Sequence, residues 1–190
     1  MSKVLIVAEH LNGQLNSATA RCVTCAQAMK AESIDILVLS DAPDAIAAQA
    51  SQIAGVGKVI TIANAANAHP IAHILAPQIA GLAAAYSHVF GPSTTFGKDL
   101  MPCVAALLGT AQVSDIMAVE SSHSFKRPIY AGNAIISVTA PSDKTVVATI
   151  RTASWPAAGN GGGAAIEAGS VSASLPTHTR FVGLQQGKSD

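Results

Sequence analysis

The run Val4-Leu-Ile-Val-Ala8 is apolar at every position, which is typical of a strand buried on both faces of a parallel sheet. Behind it, apolar strand-like runs alternate with segments of helical periodicity. This alternation predicts an α/β fold with a mostly parallel sheet and helices on both faces. The predicted strands are residues 4–8, 34–39, 58–62, 88–91 and 113–119, and the predicted helices are residues 17–30, 44–54, 69–85 and 98–108.

The pattern changes in the last third of the chain, at Phe125-Lys-Arg-Pro-Ile-Tyr-Ala-Gly-Asn-Ala134. Gly132 can adopt a positive φ and Asn133 tolerates the left-handed region, so this stretch predicts a tight corner between two β-rich runs. Residues 133–139 and 145–152 are predicted strands, separated by the turn Ala140-Pro-Ser-Asp-Lys144. We expect these two strands to pair as an antiparallel hairpin appended to the parallel sheet.

The sequence pattern predicts three segments in the chain. Residues 1–156 are predicted to form the α/β domain with its C-terminal hairpin. Residues 157–170, rich in Ala and Gly, are predicted to be a flexible surface segment. Residues 171–190 are predicted to contain an edge strand at 178–184, followed by a linker.

The composition of the chain argues against nucleic acids and membranes as binding partners. Hydrophobic residues make up 49% of the 190 residues and charged residues 12%, with 11 basic and 11 acidic side chains. A chain with this charge balance offers no basic surface for nucleic acid or for an anionic membrane. The uncharged stretch between Lys58 and Lys98 contains Pro70 and Pro77 and predicts no membrane insertion. Glu9 ends the first apolar run too early for a signal peptide, which predicts a cytoplasmic protein.

The third predicted helix has an unusual surface. Residues 71–86 carry no charge, whereas a helix on the outside of a monomeric domain normally presents a polar stripe. The low overall charge also suggests that a partner covers part of the surface. We therefore expect an exposed apolar patch on this helix, or else a partner surface near Arg127 and Tyr130.

Cysteines and histidines are the candidate reactive groups of the chain. Cys22 and Cys25 have the C-x-x-C spacing, but they fall in the middle of the predicted helix 17–30, whereas a reactive pair normally lies at a helix N-terminus. The sequence favours a buried structural pair, with a dithiol oxidoreductase as an alternative. His69 and His73 lie four residues apart without a nearby carboxylate, and we expect no metal site.

Ligand sites in such folds lie at the carboxyl ends of the strands. Glu9 and His10 follow the first strand there, while Lys98 and Asp99 open the fourth helix, where capping and helix-dipole effects also explain them. No G-x-G-x-x-G or Walker A pattern follows a strand, so phosphate binding is not predicted. The glycines at 55, 57 and 161–163 are interpreted as turn and linker residues. We expect no catalytic, cofactor-binding or metal-binding residue.

Three motifs together resemble one known family. They are Thr94-Thr-Phe-Gly-Lys-Asp-Leu-Met-Pro102, the stretch Arg127-Pro-Ile-Tyr-Ala-Gly-Asn-Ala134, and Thr149-Ile-Arg-Thr152. Together they resemble the α subunit of the electron-transfer flavoproteins, and the resemblance runs over essentially the whole chain. One departure is Cys103, at a position where the family usually has Arg after the Pro of the first motif.

The resemblance implies an adenine-nucleotide-hydrolase-like N-terminal domain, a linker at residues 171–190, and a separate FAD-binding domain that is absent here. It implies a heterodimer with a β subunit that carries electrons from acyl-CoA and other flavin dehydrogenases to a quinone oxidoreductase. FAD would belong to the full heterodimer and would have no ligand in this chain. The candidate partner contacts are Arg127, Tyr130, Asn133 and Arg151. The alternative is an adenine-nucleotide-binding α/β domain, either an enzyme or a sensor, that would use the strand ends near Glu9 and Gly91–Thr95.

Overall fold

The computed structural model describes residues 2–170, 173–183 and 185. Its helices are α1 (Ala18–Ala28), α2 (Asp44–Ser51), α3 (Ala72–Ala83) and α4 (Thr95–Leu107). Its strands are β1 (Lys3–Val7), β2 (His10–Leu11), β3 (Gln14–Leu15), β4 (Ser33–Ser40), β5 (Lys58–Ala63), β6 (His88–Pro92), β7 (Gln112–Ile116), β8 (Ala118–Val119), β9 (Ser124–Ile129), β10 (Ala134–Thr139), β11 (Val146–Ile150) and β12 (Ala165–Ala168).

The core of the protein is a seven-stranded parallel sheet in the order β12-β5-β4-β1-β6-β11-β7. Val4 and Ile6 of β1 pack with α1 and α2, while Leu5 and Val7 pack with α3 and α4 on the other face. Successive side chains of a strand point to opposite faces, which explains why β1 is apolar without alternation. The predicted parallel sheet with helices on both faces is confirmed.

A small antiparallel sheet, in the order β10-β9-β8, is attached beside the main one. The predicted corner joins β9 to β10 and is confirmed, but the predicted hairpin between residues 133–139 and 145–152 is wrong. The strand β11 lies in the main sheet, parallel to both β6 and β7. Its five residues are all buried, whereas half-buried and exposed residues alternate along β10. β11 is apolar except for Thr149 and buried at every position, so it suits the interior of a parallel sheet, and this outweighs the short connection.

The Ala/Gly-rich segment also differs from expectation. Instead of being irregular throughout, it contains β12, which pairs parallel to β5 at the edge of the sheet. The amides of Gly161 and Gly162 donate to the carbonyl of Gln52 at 3.0 Å, and a Cβ on Gly162 would collide with the backbone of Ile53. These glycines therefore allow a close approach to the end of α2, which is a packing role.

Several helices and strands begin or end at residues other than the predicted ones. The predicted strand at residues 113–119 is divided into β7 and β8, and the third helix begins at Ala72, after a short 3₁₀ turn at Ala65–Asn67. Asn12 and Gly13, both with positive φ, form the turn of the small hairpin β2–β3, which the sequence analysis missed. The predicted edge strand is wrong over residues 178–183, and its last residue, 184, lies outside the described residues.

The predicted apolar patch on α3 is wrong. Ile74, Leu75 and Ile79 are buried within the domain, and Gln78 is buried in a hydrogen-bond pair with Asn67, at 2.7 and 3.1 Å. Among the described residues, none of the exposed large hydrophobic side chains belongs to α3. A partner surface must therefore be sought elsewhere.

Within the described part of the chain, none of the helices has both the length and the apolar character that are needed to cross a membrane.

Candidate functional site

A cavity of about 420 Å³ lies at the carboxyl ends of β6, β11 and β7. Strand ends of this kind are where parallel α/β sheets bind ligands, because the loops that follow the strands converge there. Its walls combine charged, hydroxyl and small side chains from four parts of the chain. The residues that line it are Ser93, Lys98, Asp115, Pro128, Ala131, Gly132, Arg151, Thr152 and Ala153.

Arg151 and Asp115 form an ion pair in this cavity, with Nη1 and Oδ2 3.3 Å apart. Asp115 has a φ of 63°, and its amide donates to the Thr149 hydroxyl at 2.9 Å in place of a regular ladder bond. The register between β11 and β7 shifts at this point. The irregularity turns the Asp115 carboxylate toward the end of the neighbouring strand, where Arg151 begins the next turn.

The corner between β9 and β10 forms the rim of the cavity. Gly132 has the predicted positive φ, 94°, but Tyr130 and Ala131 also lie in the left-handed region, at 50° and 55°. Asn133 is right-handed, contrary to the expectation for it, and its side-chain amide donates to the Tyr130 carbonyl at 2.8 Å. The Tyr130 side chain is 79% exposed. The corner therefore holds an aromatic ring out in solvent.

Arg127 lies directly behind this rim. Its Nε donates to the Ser114 carbonyl at 2.7 Å and its Nη2 donates to the Ser114 hydroxyl at 2.8 Å. These two bonds tie the small sheet to β7, one residue before Asp115. The structure thus brings Arg127, Tyr130, Asn133 and Arg151 into one neighbourhood. Whether they contact a partner stays a prediction.

A second location, the crevice between β1 and β6, is where the strand order reverses. The Glu9 carboxylate accepts a hydrogen bond from the Thr94 hydroxyl at 2.9 Å, and that hydroxyl accepts from the amide of Gly97 at the start of α4. The His10 ring bonds the Leu39 carbonyl at 2.8 Å. A cavity of about 10 Å³, close to the space that one water requires, lies beside His10 and Leu39 on the β4 side of β1.

The surroundings of Cys22 and Cys25 disfavour a reactive thiol. Cys22 and Cys25 are fully buried in the middle of α1, as expected for structural residues. Burial raises the pKa of both thiols, and for Cys22 the neighbouring Cys25 raises it further. A thiolate nucleophile is therefore disfavoured at this place.

His69 and His73 pack against other rings. His69 stacks on Phe181 with ring centroids 3.6 Å apart, and His73 meets His178 edge-on at 4.7 Å. Among the described residues, none of the clusters of His, Cys, Asp and Glu could hold a metal ion.

Sequence reasoning missed Asp115, and it included Ser93 only as part of the strand end Gly91–Thr95 that the adenine-nucleotide alternative would use. The Ser93 hydroxyl oxygen is buried and has no hydrogen-bond partner among the described residues. Asp115 gave a usable signal, since a charged residue inside a predicted strand is unusual and requires a partner. Ser93 gave no such signal because serine is common after strands.

A sequence profile of the electron transfer flavoprotein domain matches residues 4–175 of the chain. The chain belongs to the electron transfer flavoprotein family. It is 44% identical over 188 residues to the electron transfer flavoprotein subunit alpha of Pseudomonas aeruginosa, covering 98% of this chain and 60% of that protein. The resemblance inferred from the three motifs is confirmed.

Other electron transfer flavoprotein α subunits are similar to the chain. The one from Paracoccus denitrificans is 44% identical, with 86% of this chain and 52% of that protein covered. The mitochondrial one from Dictyostelium discoideum is 36% identical, with 86% and 48% covered. The chain thus spans between about half and three-fifths of the length of these curated relatives.

The family name implies a flavin, and the crevice between β1 and β6 does not fit the pyrophosphate of FAD. A phosphate at the N-terminus of α4 would meet the Glu9 carboxylate, which is bonded to Thr94 there. Like charges at such a distance repel, and the carboxylate already complements the positive end of the helix.

Proposed function

We propose that this chain is the N-terminal scaffold and interaction domain of an electron transfer flavoprotein α subunit. In this proposal the full protein is a heterodimer with a β subunit and carries one FAD. It accepts electrons from acyl-CoA dehydrogenase and other flavin dehydrogenases and delivers them to a quinone oxidoreductase, with the carrier acting in the cytoplasm. The flavin supplies the redox chemistry and is held by residues outside this chain.

The main observation in support of an interaction role is the exposure of Tyr130. A tyrosine that is 79% exposed on a left-handed corner is unusual for a side chain with no role, since non-glycine residues in this region are strained. Tyrosine and arginine are frequent anchors of protein interfaces because they bury a large area and offer hydrogen bonds. Ile135, on the strand that follows, is 56% exposed and extends the same surface.

The family relationship indicates the partner. Electron transfer flavoprotein α subunits pair with a β subunit, and the contacts proposed here are made by Tyr130, Asn133 and Arg151. Arg127 supports that surface from behind through its two bonds to Ser114. In this role the domain holds the flavin-binding part of the protein in position and needs no catalytic residue of its own.

The adenine-nucleotide alternative is less well supported. It requires a phosphate at the crevice between β1 and β6, and that position is opposed by the Glu9 carboxylate at the first turn of α4. The glycines of the chain do not form a phosphate-cradling loop behind a strand either.

The two functions can be separated by two measurements on the purified chain. Mixed with the β subunit from the same organism, it should elute in gel filtration as a stoichiometric complex. Titrated with AMP or ATP, it should show no increase in melting temperature. A nucleotide-dependent increase in melting temperature without complex formation would favour the alternative and overturn the proposal.

A further inference from the structure

The two larger sheets end in four edge strands, and three of these are protected against further pairing. β12 has four residues and carries Glu167, which pairs with Lys58 at 3.2 Å. β8 has only two residues, and β7 is tied to the small sheet by the bonds from Arg127 to Ser114. Short length, charge and cover by a neighbouring segment are the usual means by which proteins prevent edge-to-edge association.

The fourth edge strand, β10, lacks these protections. Its six residues, Ala134-Ile-Ile-Ser-Val-Thr139, include no charge, no proline and no glycine, and most of them favour strands. Its register with β9 runs from one end to the other without a bulge. Within the described part of the chain, no strand pairs with its other side. A regular, uncharged edge of this length is a template for pairing with another chain.

The hydrogen bonds between β9 and β10 show which backbone groups are available at this edge. The Ala140 amide donates to the His123 carbonyl at 2.8 Å, in the register of the strand pair. Along an antiparallel pair, residues that bond the partner alternate with residues whose N–H and C=O point away. Every second residue from Ala134 onward therefore bonds β9, and Pro128, which has no N–H, lies opposite an outward-pointing residue. The residues whose N–H and C=O point to the free edge are Ile135, Ser137 and Thr139.

The side chains of these same three residues are exposed. Ile135 is 56% exposed, so a strand added at this edge would also cover an apolar side chain, as cross-strand pairs do. The corner that holds Tyr130 in solvent directly precedes β10. The free edge and the exposed aromatic ring are therefore neighbouring parts of one surface.

We propose that β10 pairs with an extended strand of the β subunit, so that the small sheet continues into the partner. In this mode of recognition, main-chain hydrogen bonds provide affinity and the alternate side chains provide specificity. The inference rests on the proposed function and deepens it, since Tyr130 anchors the partner and β10 fixes its register.

A second copy of this chain is a poorer occupant of the edge. The six residues of β10 are far fewer than the about 20–30 residues that each partner contributes to a stable interface. Strand pairing at β10 must therefore be one part of a larger contact. The β subunit satisfies this requirement because it is the proposed partner of the adjoining corner.

Two matched variants at residue 137 test the pairing. Ser137→Pro removes the outward-pointing N–H and leaves the bonds to β9, since proline is tolerated where the N–H of an edge strand faces solvent. Ser137→Ala removes the same hydroxyl but keeps the N–H. In calorimetric titrations with the β subunit, Ser137→Pro should bind about tenfold more weakly because a carbonyl of the partner loses its donor, while Ser137→Ala should bind like the parent chain. Circular dichroism checks that both variants are folded.

Amide exchange tests the same pairing without a mutation. It is measured residue by residue by NMR in the free chain and in the complex with the β subunit. The amides of Ile135, Ser137 and Thr139 should exchange fast in the free chain and more than about tenfold slower in the complex, because they gain hydrogen bonds there. The amides of β12, which lie at the opposite edge of the main sheet, are the control and should be unchanged.

The possible results separate the inference from the proposed function. Slower exchange of the three amides in the complex supports the inference, and amide exchange is decisive where the two measurements disagree or where Ser137→Pro does not fold. A stoichiometric complex in which these amides still exchange fast overturns the inference and leaves the proposed function intact. If the parent chain forms no complex, both fail. Protection that increases with the concentration of the chain alone would identify a second copy as the occupant and overturn the assignment to the β subunit.

Discussion

Arg151 and Asp115 face each other 3.3 Å apart, one at the end of β11 and the other at a left-handed position in β7. The pair lies where two parallel strands change register, beside the corner that exposes Tyr130. The charged cavity and the exposed aromatic ring are therefore parts of one surface, built on the rigid edge of the sheet.

Gly97 provides a test of how the first of the three motifs works. A Cβ at this position would collide with the backbone carbonyl of Pro92, so glycine is required where α4 begins against the end of β6. We expect Gly97→Ala to lower the free energy of unfolding by about 1–3 kcal/mol, as overpacking does. Gly163→Ala is the control, because nothing lies within 4 Å of its added methyl group. Urea unfolding curves that are equal for both variants would contradict this account of the motif.

Thiol reactivity tests the assignment of the cysteine pair. Cys22 and Cys25 are fully buried and have raised pKa values, whereas Cys103 is half-buried on α4. Titration of the native chain with Ellman's reagent should modify Cys103 first, and the other two only when the chain is unfolded in urea. Fast modification of a Cys103→Ser variant would show a reactive pair and support the dithiol alternative.

Stability should decrease in mildly acidic solution because of His88. This ring is fully buried, its Nε2 donates to the Ser122 carbonyl at 2.7 Å, and burial lowers its pKa below the ordinary value of 6.5. Below that pH the unfolded chain binds a proton that the folded chain resists, so the free energy of unfolding falls as the pH falls. Urea unfolding between pH 7.5 and about pH 5.5, a range around the ordinary histidine pKa, should show this loss. In His88→Gln the loss should be smaller, and an identical slope would refute the assignment.

We expect the purified chain to be colourless, because its sequence motifs offer no expected ligand for a flavin. At the crevice between β1 and β6, the Glu9 carboxylate is bonded to Thr94 at the start of α4 and would repel the pyrophosphate of FAD. The purified chain, incubated with excess FAD and passed through gel filtration, should retain no visible absorption. A stoichiometric yellow species would mean that a flavin site exists elsewhere in the chain.

Much of the architecture could be predicted because β1, β4, β5 and β6 are mostly apolar runs separated by helical segments. The sheet to which residues 134–150 belong could not be predicted, because β10 and β11 have similar compositions and neither sequence shows a clear alternation of apolar and polar residues. A short connection also suggested a hairpin, while burial of all five β11 residues stabilises the central position. Long-range packing decided the pairing, and local turn signals do not contain that information.

The candidate site was predicted only in part. Tyr130, Asn133 and Arg151 were found because they belong to a recognisable motif. Their convergence on Asp115 and Ser93 depends on the register of β7 against β11, which no sequence pattern reveals. The glycines at 161–163 illustrate the opposite error: glycine suggested flexibility, while Gly162 in fact permits a close approach to Ile53.

The affinity of Tyr130→Ala for the β subunit tests the central claim most directly. Isothermal titration calorimetry would compare this variant with the parent chain and with Ile166→Ala. Ile166 is 49% exposed on β12, at the opposite edge of the sheet, and is therefore a matched control. If Tyr130 anchors the partner, its truncation should weaken binding about thirtyfold, in the range of interface hot spots, while Ile166→Ala should bind like the parent. Equal affinities for all three proteins, or a loss confined to Ile166→Ala, would contradict the account.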